Sequence, residues 1–196
     1  MANIPLAERL RPRTIDEYIG QEHLVGANGV FRKFLETGNL PSFILWGPPG
    51  VGKTTLARLV ATELDRPLFT LSAVTSGVKD VREVIELARK QQFFNARPPL
   101  LFIDEIHRFN KSQQDSLLGA VEQGVVTLIG ATTENPSFEV ISPLLSRCQV
   151  YILKPMEDKD LQTLLERALR VDTELSRRDV TVRETTALFR FSGGDA

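Results

Sequence analysis

Residues 47–54 read Gly47-Pro48-Pro49-Gly50-Val51-Gly52-Lys53-Thr54, which fits the spacing G-x-x-x-x-G-K-[ST]. Two prolines and three glycines stand directly before a stretch of helical periodicity, where a helix former would be expected. The glycines let the backbone curl so that successive N–H groups point inward at an anion. The N-terminus of the helix that follows adds partial positive charge. Lys53 then supplies a full charge for the β and γ phosphates of a nucleotide, the Thr54 hydroxyl ligates Mg²⁺, and Thr55 belongs to the same phosphate-binding stretch.

A second chemical element is "LLFIDE", residues 100–105. Four apolar residues run into Asp104-Glu105, and the carboxyl ends of strands are where ligands sit on an α/β sheet. Asp104 can hold Mg²⁺ through water. Glu105 can orient or activate an attacking water, because phosphoryl transfer needs a positioned nucleophile and little else from the protein. Two neighbouring features read more plainly. His107 has no partner ligands in sequence and orients a loop rather than binding a metal. Lys79, Arg82, Arg108 and Lys111 are dispersed basic residues that suit a solvated face better than a DNA contact.

Strands must bring these groups to one edge. Five short apolar runs qualify: "SFILWG" (42–47), "PLFTLS" (67–72), "LLFIDE" (100–105), "VTLIGAT" (126–132) and "QVYILK" (149–154). Most are continuously apolar, as expected of strands covered on both faces of a parallel sheet. Between them, "KTTLARLVATEL", "VKDVREVIELARKQ" and the shorter "SQQDSLLGAVEQG" carry helical periodicity. The alternation predicts a right-handed, doubly wound α/β core with a five-stranded parallel sheet flanked by helices. After Lys154-Pro155 the pattern becomes wholly helical, which places a boundary near 155 and a small helical subdomain over 156–196. Residues 1–25 read as an extended N-terminal arm. The Gly193-Gly194 pair near the end reads either as a helix stop or as a loop into a further helix.

Bulk properties fit this outline. The chain has 196 residues, is 42% hydrophobic and 25% charged, and carries a net charge of −1, ordinary values for a globular protein. No apolar stretch reaches the length of a membrane span. The charged N-terminus does not fit a signal peptide, and the single cysteine, Cys148, has no internal partner. Together these point to the cytosol. The near-zero net charge gives no global sign of nucleic-acid binding, so such contact would need a local patch or other subunits.

With both motifs placed, the chain resembles the AAA+ ATPases, P-loop NTPases, and within them the clamp-loader branch. Its closest resemblance is to the replication-associated recombination protein A family. The likeness rests on "RPRTIDEYIGQEHLVG", "LWGPPGVGKTTLA", "SAVTSGVKDVREVIE", "DEIHRFNKSQQDSLL" and "IGATTENPSFEVISPLLSRCQVY". It implies ATP or ADP with Mg²⁺ as cofactors, with Tyr18 and Ile19 flanking the adenine. "GATTENP" is similar to the sensor-1 segment; Thr133 is favoured as the residue that reaches the γ-phosphate or the water, with Thr132 and Asn135 as rivals. "LLSRCQV" is similar to the Ser-Arg-Cys motif of clamp loaders, which makes Arg147 an arginine finger acting in a neighbouring subunit. The family also carries a sensor-2 arginine in the helical lid and a C-terminal oligomerisation region. Neither occurs within residues 1–196, so the sequence reads as a truncated piece of a longer chain, weak as an ATPase by itself.

Two functions from different classes follow. The first is an ATP-hydrolysing protein of replication-fork maintenance, recombination and repair. The resemblance gives it DNA partners (single strands, ends or forks), homo-oligomerisation, replication proteins as further partners and a place at the bacterial nucleoid. The second is a nucleotide-gated binding module in which turnover is incidental. Glu105 and Arg147 favour hydrolysis, since a pure sensor needs neither. A clamp-loader subunit or branch-migration motor is a third reading, against which "HRFNKSQQD" argues.

Overall fold

The computed structural model of the chain describes residues 4–92, 97–178 and 180–192. Five strands, β1 (Phe43–Trp46), β2 (Leu68–Ser72), β3 (Leu100–Asp104), β4 (Thr127–Thr132) and β5 (Gln149–Ile152), form one sheet in the order β2-β3-β4-β1-β5. All pairings are parallel. The predicted strands are therefore all present, each within two residues of its expected ends. Side chains alternate between the faces of a strand; in the central strands β1, β3 and β4 both faces are buried, whereas the outer strands β2 and β5 are partly exposed. Phe43 and Leu45 of β1, Leu100 and Phe102 of β3, and Ile129 and Ala131 of β4 enter one core. Ile44, Leu101, Ile103 and Leu128 enter the other. That two-sided burial is why the runs are apolar throughout.

Helices α4 (Lys53–Glu63), α5 (Val78–Gln92) and α6 (Lys111–Glu122) join the strands, and α9 (Asp158–Val171) and α10 (Thr186–Ser192) follow β5. The connection from β4 to β5 contains two single-turn helices, α7 (Pro136–Glu139) and α8 (Ser142–Leu145). The Gly193-Gly194 pair lies outside the described residues. No helix among the described residues is long and apolar enough to cross a membrane.

The N-terminal arm differs from its expected extended form. It holds α1 (Leu6–Arg9), a 3-10 turn (Ile15–Glu17) and α2 (Glu22–Val25), and α3 (Val30–Thr37) follows. Ile15, Tyr18, Leu24 and Val25 are buried, and the turns let the segment set these residues against the core. Gln21 takes a left-handed conformation (φ 56) so that its amide donates to the Lys154 carbonyl at 2.7 Å and accepts from the Lys154 N–H at 2.9 Å. A side chain thereby pairs with the backbone just past β5.

Ion pairs bind the arm to the region around α9, Arg9 also lying 3.4 Å from Glu174. The Arg9 guanidinium meets both oxygens of Asp172, at 2.7 and 3.1 Å. Arg167 of α9 donates to the Glu17 carbonyl at 2.8 Å and to the Glu17 carboxylate at 2.9 Å. Asp172 also accepts from the N–H groups of Glu174 and Leu175. The Arg9 hydrogen bond, then these amides, hold its pKa down from 3.8 to about 2. A depressed acid stabilises the fold above its unfolded pKa and ceases to do so as pH falls through its folded pKa. The stability difference between wild type and Asp172→Asn, from urea denaturation, is therefore expected to hold steady from pH 7 to 5. It should shrink between pH 3.8 and about 2; a difference that persists unchanged at pH 2 contradicts the clamp.

Candidate functional site

The phosphate loop runs from the end of β1 to the start of α4. Gly47 N–H bonds the Thr132 carbonyl at 3.2 Å, which fixes the take-off of the loop beside β4. Gly50 (φ 73) and Gly52 (φ 93) are left-handed, a region closed to most residues. A Cβ at Gly52 would also run into the Tyr18 hydroxyl, and that hydroxyl donates to the Val51 carbonyl at 3.1 Å. The Val51 side chain is itself packed in the core, so this position contributes backbone to the loop and apolar surface to the interior. No side chain caps the N-terminus of α4, so its first N–H groups remain available to an anion.

Lys53 opens α4 and is 7% exposed. Its ammonium donates to the Gly47 carbonyl at 2.8 Å and the Pro48 carbonyl at 2.7 Å, which holds it over the loop. Burial lowers its pKa; the charges of Glu105 and Asp104 oppose that shift. The two carboxylates are thus near enough for their charge to be felt at the loop. β3 lies two strands from β1, with β4 between them, and Asp104 stands at its carboxyl end, level with Ser72 of β2.

Glu105 leaves the strand in a left-handed conformation (φ 55), rare for a non-glycine residue and typical of functional sites. It begins a 3-10 turn over Ile106–Arg108, pinned by fully buried Ile106 and by Phe109. His107 of that turn places Nε2 3.2 Å from Glu105 Oε2 and Nδ1 3.0 Å from Thr132 Oγ1. Among the described residues no cluster of three or more His, Cys, Asp or Glu could hold a metal. Thr54 stands in the first turn of α4 and Asp104 at the end of β3; Mg²⁺ commonly takes one or two protein ligands and completes its shell with water and substrate phosphates.

A cavity of about 380 Å³ adjoins the loop. Tyr18, Ile19, Gly50, Gly52 and Thr55 line one side; Met156, Leu161 and Leu164 line the other. Its mainly apolar walls suit a flat aromatic base. Arg11 also lines it. Arg11 Nη2 pairs with Glu8 at 2.6 Å, whereas Nε and Nη1 are buried without a partner among the described residues. Two donors left unsatisfied beside a cavity mark a place for ligand acceptors. In the sequence Arg11 is part of the N-terminal arm, marked by no more than its position in "RPRT".

The remaining candidates lie elsewhere or are already engaged. Arg147 pairs with Glu122 of α6 at 2.5 Å and donates to the Pro143 carbonyl at 2.7 Å, so its contacts within the chain are with α6 and α8. Thr132 is fully buried at the end of β4. Thr133 is half-buried next to it, and the Asn135 side chain caps α7 by accepting from Ser137 N–H. Lys79, Arg82, Arg108 and Lys111 are all exposed, and Lys79 sits 3.7 Å from Glu83.

The stretch "NKSQQD" acts through its amides. Asn110 and Gln113 form a reciprocal cap on α6, and Gln113 reaches the Ser76 carbonyl at 2.8 Å. Gln114, almost fully buried, donates to the Phe109 and Glu139 carbonyls and accepts from Ile141 N–H. Gln114 thereby fixes the segment that leads to Arg147.

Comparison with known proteins agrees with this geometry. The model of the ATPase family associated with various cellular activities (AAA) matches residues 43–156. The chain is 48% identical over 196 residues to replication-associated recombination protein A of Escherichia coli (strain K12), covering 98% of this chain and 43% of that protein. It is also 48% identical over 194 residues to the ATPase WRNIP1 of Dictyostelium discoideum, covering 98% of this chain and 22% of the relative. Among solved structures it is similar to the Thermotoga maritima RuvB Holliday junction branch migration motor, with 35% identity and a TM-score of 0.65 over 83% of this chain and 54% of that one. The chain thus spans less than half the length of these curated relatives. With its loop, acid pair and parallel sheet arranged as described, the chain belongs to the AAA family of ATPases.

Proposed function

We propose that this chain is the nucleotide-binding core of an ATP-hydrolysing protein that works on DNA in replication-fork maintenance, recombination and repair. One observation carries the catalytic part: the buried Lys53 ammonium over the glycine loop lies within electrostatic reach of Asp104 and Glu105. The DNA-directed part rests on the 48% identity to replication-associated recombination protein A. On this reading residues 1–155 form the core and 156–196 the start of a helical lid.

The residues present fit ATP with Mg²⁺. Gly47, Pro48, Pro49, Gly50, Val51 and Gly52 supply the backbone cradle; Lys53, Thr54 and Thr55 supply charge and hydroxyls. Tyr18 and Ile19 wall the base, with Arg11 free to donate to it. Thr54 and Asp104 would hold Mg²⁺, which neutralises charge on the phosphate oxygens. Glu105 orients a water, and its carboxylate accepts a proton as that oxygen attacks. Thr133 is the favoured sensor of the phosphate. Arg147 would meet developing charge in a neighbouring copy; its attachment to Glu122 in its own chain fits a finger that works only on assembly. A cytoplasmic place at the nucleoid suits these roles.

The likeness to RuvB supports a branch-migration motor as a second reading. It is the weaker one, at 35% identity against 48%. Movement of four-way junctions by the purified protein would favour it.

Lys53→Ala is expected to weaken ATP binding by about 3 kcal/mol, on the order of 100-fold, because it removes a charge-assisted contact. In the full-length protein Glu105→Gln should bind ATP normally while turnover falls about 100-fold or more. Titration with a fluorescent ATP analogue and phosphate release check the two; turnover at the wild-type rate would remove Glu105 from its role. Arg147→Ala should lower turnover by about 10³-fold with binding intact, and wild-type turnover per subunit should rise with protein concentration and with single-stranded DNA. A flat, negligible, DNA-independent rate favours the nucleotide-gated module.

A further inference from the structure

The contacts of His107 extend beyond holding a loop. We propose that His107 is a positioning residue that ties the Glu105 carboxylate to the buried end of β4 through Thr132. This rests on the reading of Glu105 as the group that orients the attacking water.

Thr132 Oγ1 has one proton and three polar neighbours: Glu134 N–H at 3.0 Å, the Glu134 carbonyl at 3.1 Å and His107 Nδ1 at 3.0 Å. The amide can only donate. If the hydroxyl proton goes to Nδ1, the ring carries its proton on Nε2. If it goes to the Glu134 carbonyl, Nδ1 donates to the hydroxyl, and Nε2 then carries a proton only in a doubly protonated ring. The first arrangement leaves a neutral ring whose Nε2–H faces Glu105 Oε2, 3.2 Å away.

The support behind the ring is rigid. Ile106 and Phe109 anchor the 3-10 turn in the core, and Thr132 is fully buried. The His107 side chain is 12% exposed against 27% for Glu105. A carboxylate on a flexible stem is thus held by a donor that cannot wander, one bond removed from the last residue of β4. That strand end adjoins Thr133, and its Thr132 carbonyl accepts from Gly47 N–H. A shift of the β4 terminus is therefore transmitted to the phosphate loop through its backbone and to Glu105 through His107.

The test compares His107→Ala, His107→Asn, His107→Gln and Glu105→Gln in the full-length protein, by steady-state ATPase and ATP-analogue binding, with thermal melts of each. A glutamine amide reaches the place of Nε2, whereas asparagine reaches only that of Nδ1. Alanine and asparagine are expected to lower kcat by about 10- to 100-fold, the worth of one hydrogen bond to a charged group. KM and analogue affinity should stay within about twofold, and glutamine should restore most of kcat. An unchanged kcat in alanine overturns the proposal. So does rescue by asparagine and not glutamine, which would make the ring a support for Thr132 alone. Wild-type turnover in Glu105→Gln would instead overturn the role of Glu105, a separate failure. Should the His107 variants not fold, nitrogen-15 NMR of the wild-type imidazole decides: a protonated Nε2 that shifts in Glu105→Gln supports the tie, and a bare Nε2 overturns it.

Discussion

The site turns on a buried cation kept in place by opposite charge. Lys53 loses hydration at the start of α4, and that loss pushes its ammonium toward neutrality. Two carbonyls of its own loop and two acids from the end of β3 oppose the push. The loop cannot relax away from this arrangement, because Gly52 is packed against Tyr18 and the loop's first N–H is bonded to β4. Loop, strand edge and arm are thus interlocked around one charge, ready for a polyanion.

The arm is the least obvious partner in that arrangement. It lies between the core and α9 and bonds to both: Tyr18 to the phosphate loop, Gln21 to the backbone after β5, Arg9 and Glu17 to Asp172 and Arg167. One wall of the cavity beside the loop comes from the arm and another from α9. A change in the set of α9 therefore cannot leave the cavity unaltered. Arg9, Glu17 and Arg167 stay partly exposed in these pairs, which keeps the pairs modest in energy.

A second set of polar side chains organises the far side of the acid pair. Gln113 and Gln114 bond to backbone on three connecting segments, and His107 spans Glu105 and Thr132. The amides placed this way satisfy backbone groups that no ladder or helix reaches, and the imidazole joins two side chains. They also explain why "HRFNKSQQD" is a more particular signature than the acid pair itself: its polar residues are matched to loops of this chain, whereas any strand edge in such a sheet accommodates two acids.

The five strands, the longer helices and the chemistry of residues 47–54 and 104–105 were legible in the sequence because each is set locally. Unbroken apolar runs signal two-sided burial, and glycine spacing signals a curled loop. The helix at 30–37 was not, since only eight residues between Gly29 and Gly38 carry it and its Phe31 is secured by Phe43 and by Tyr151, far along the chain. The single-turn helices at 136–139 and 142–145 are too short to persist alone and depend on Asn135 and Gln114. Arg11, Glu122 and the link from His107 to Thr132 were equally invisible. Periodicity reports which face of an element is buried; it does not report which polar atom meets which across the core. By itself the sequence determined that a phosphate cradle and an acid pair stand at the ends of parallel strands. Only the tertiary structure decided their partners, because those contacts join residues brought together solely by the order β2-β3-β4-β1-β5 and by the arm laid across it.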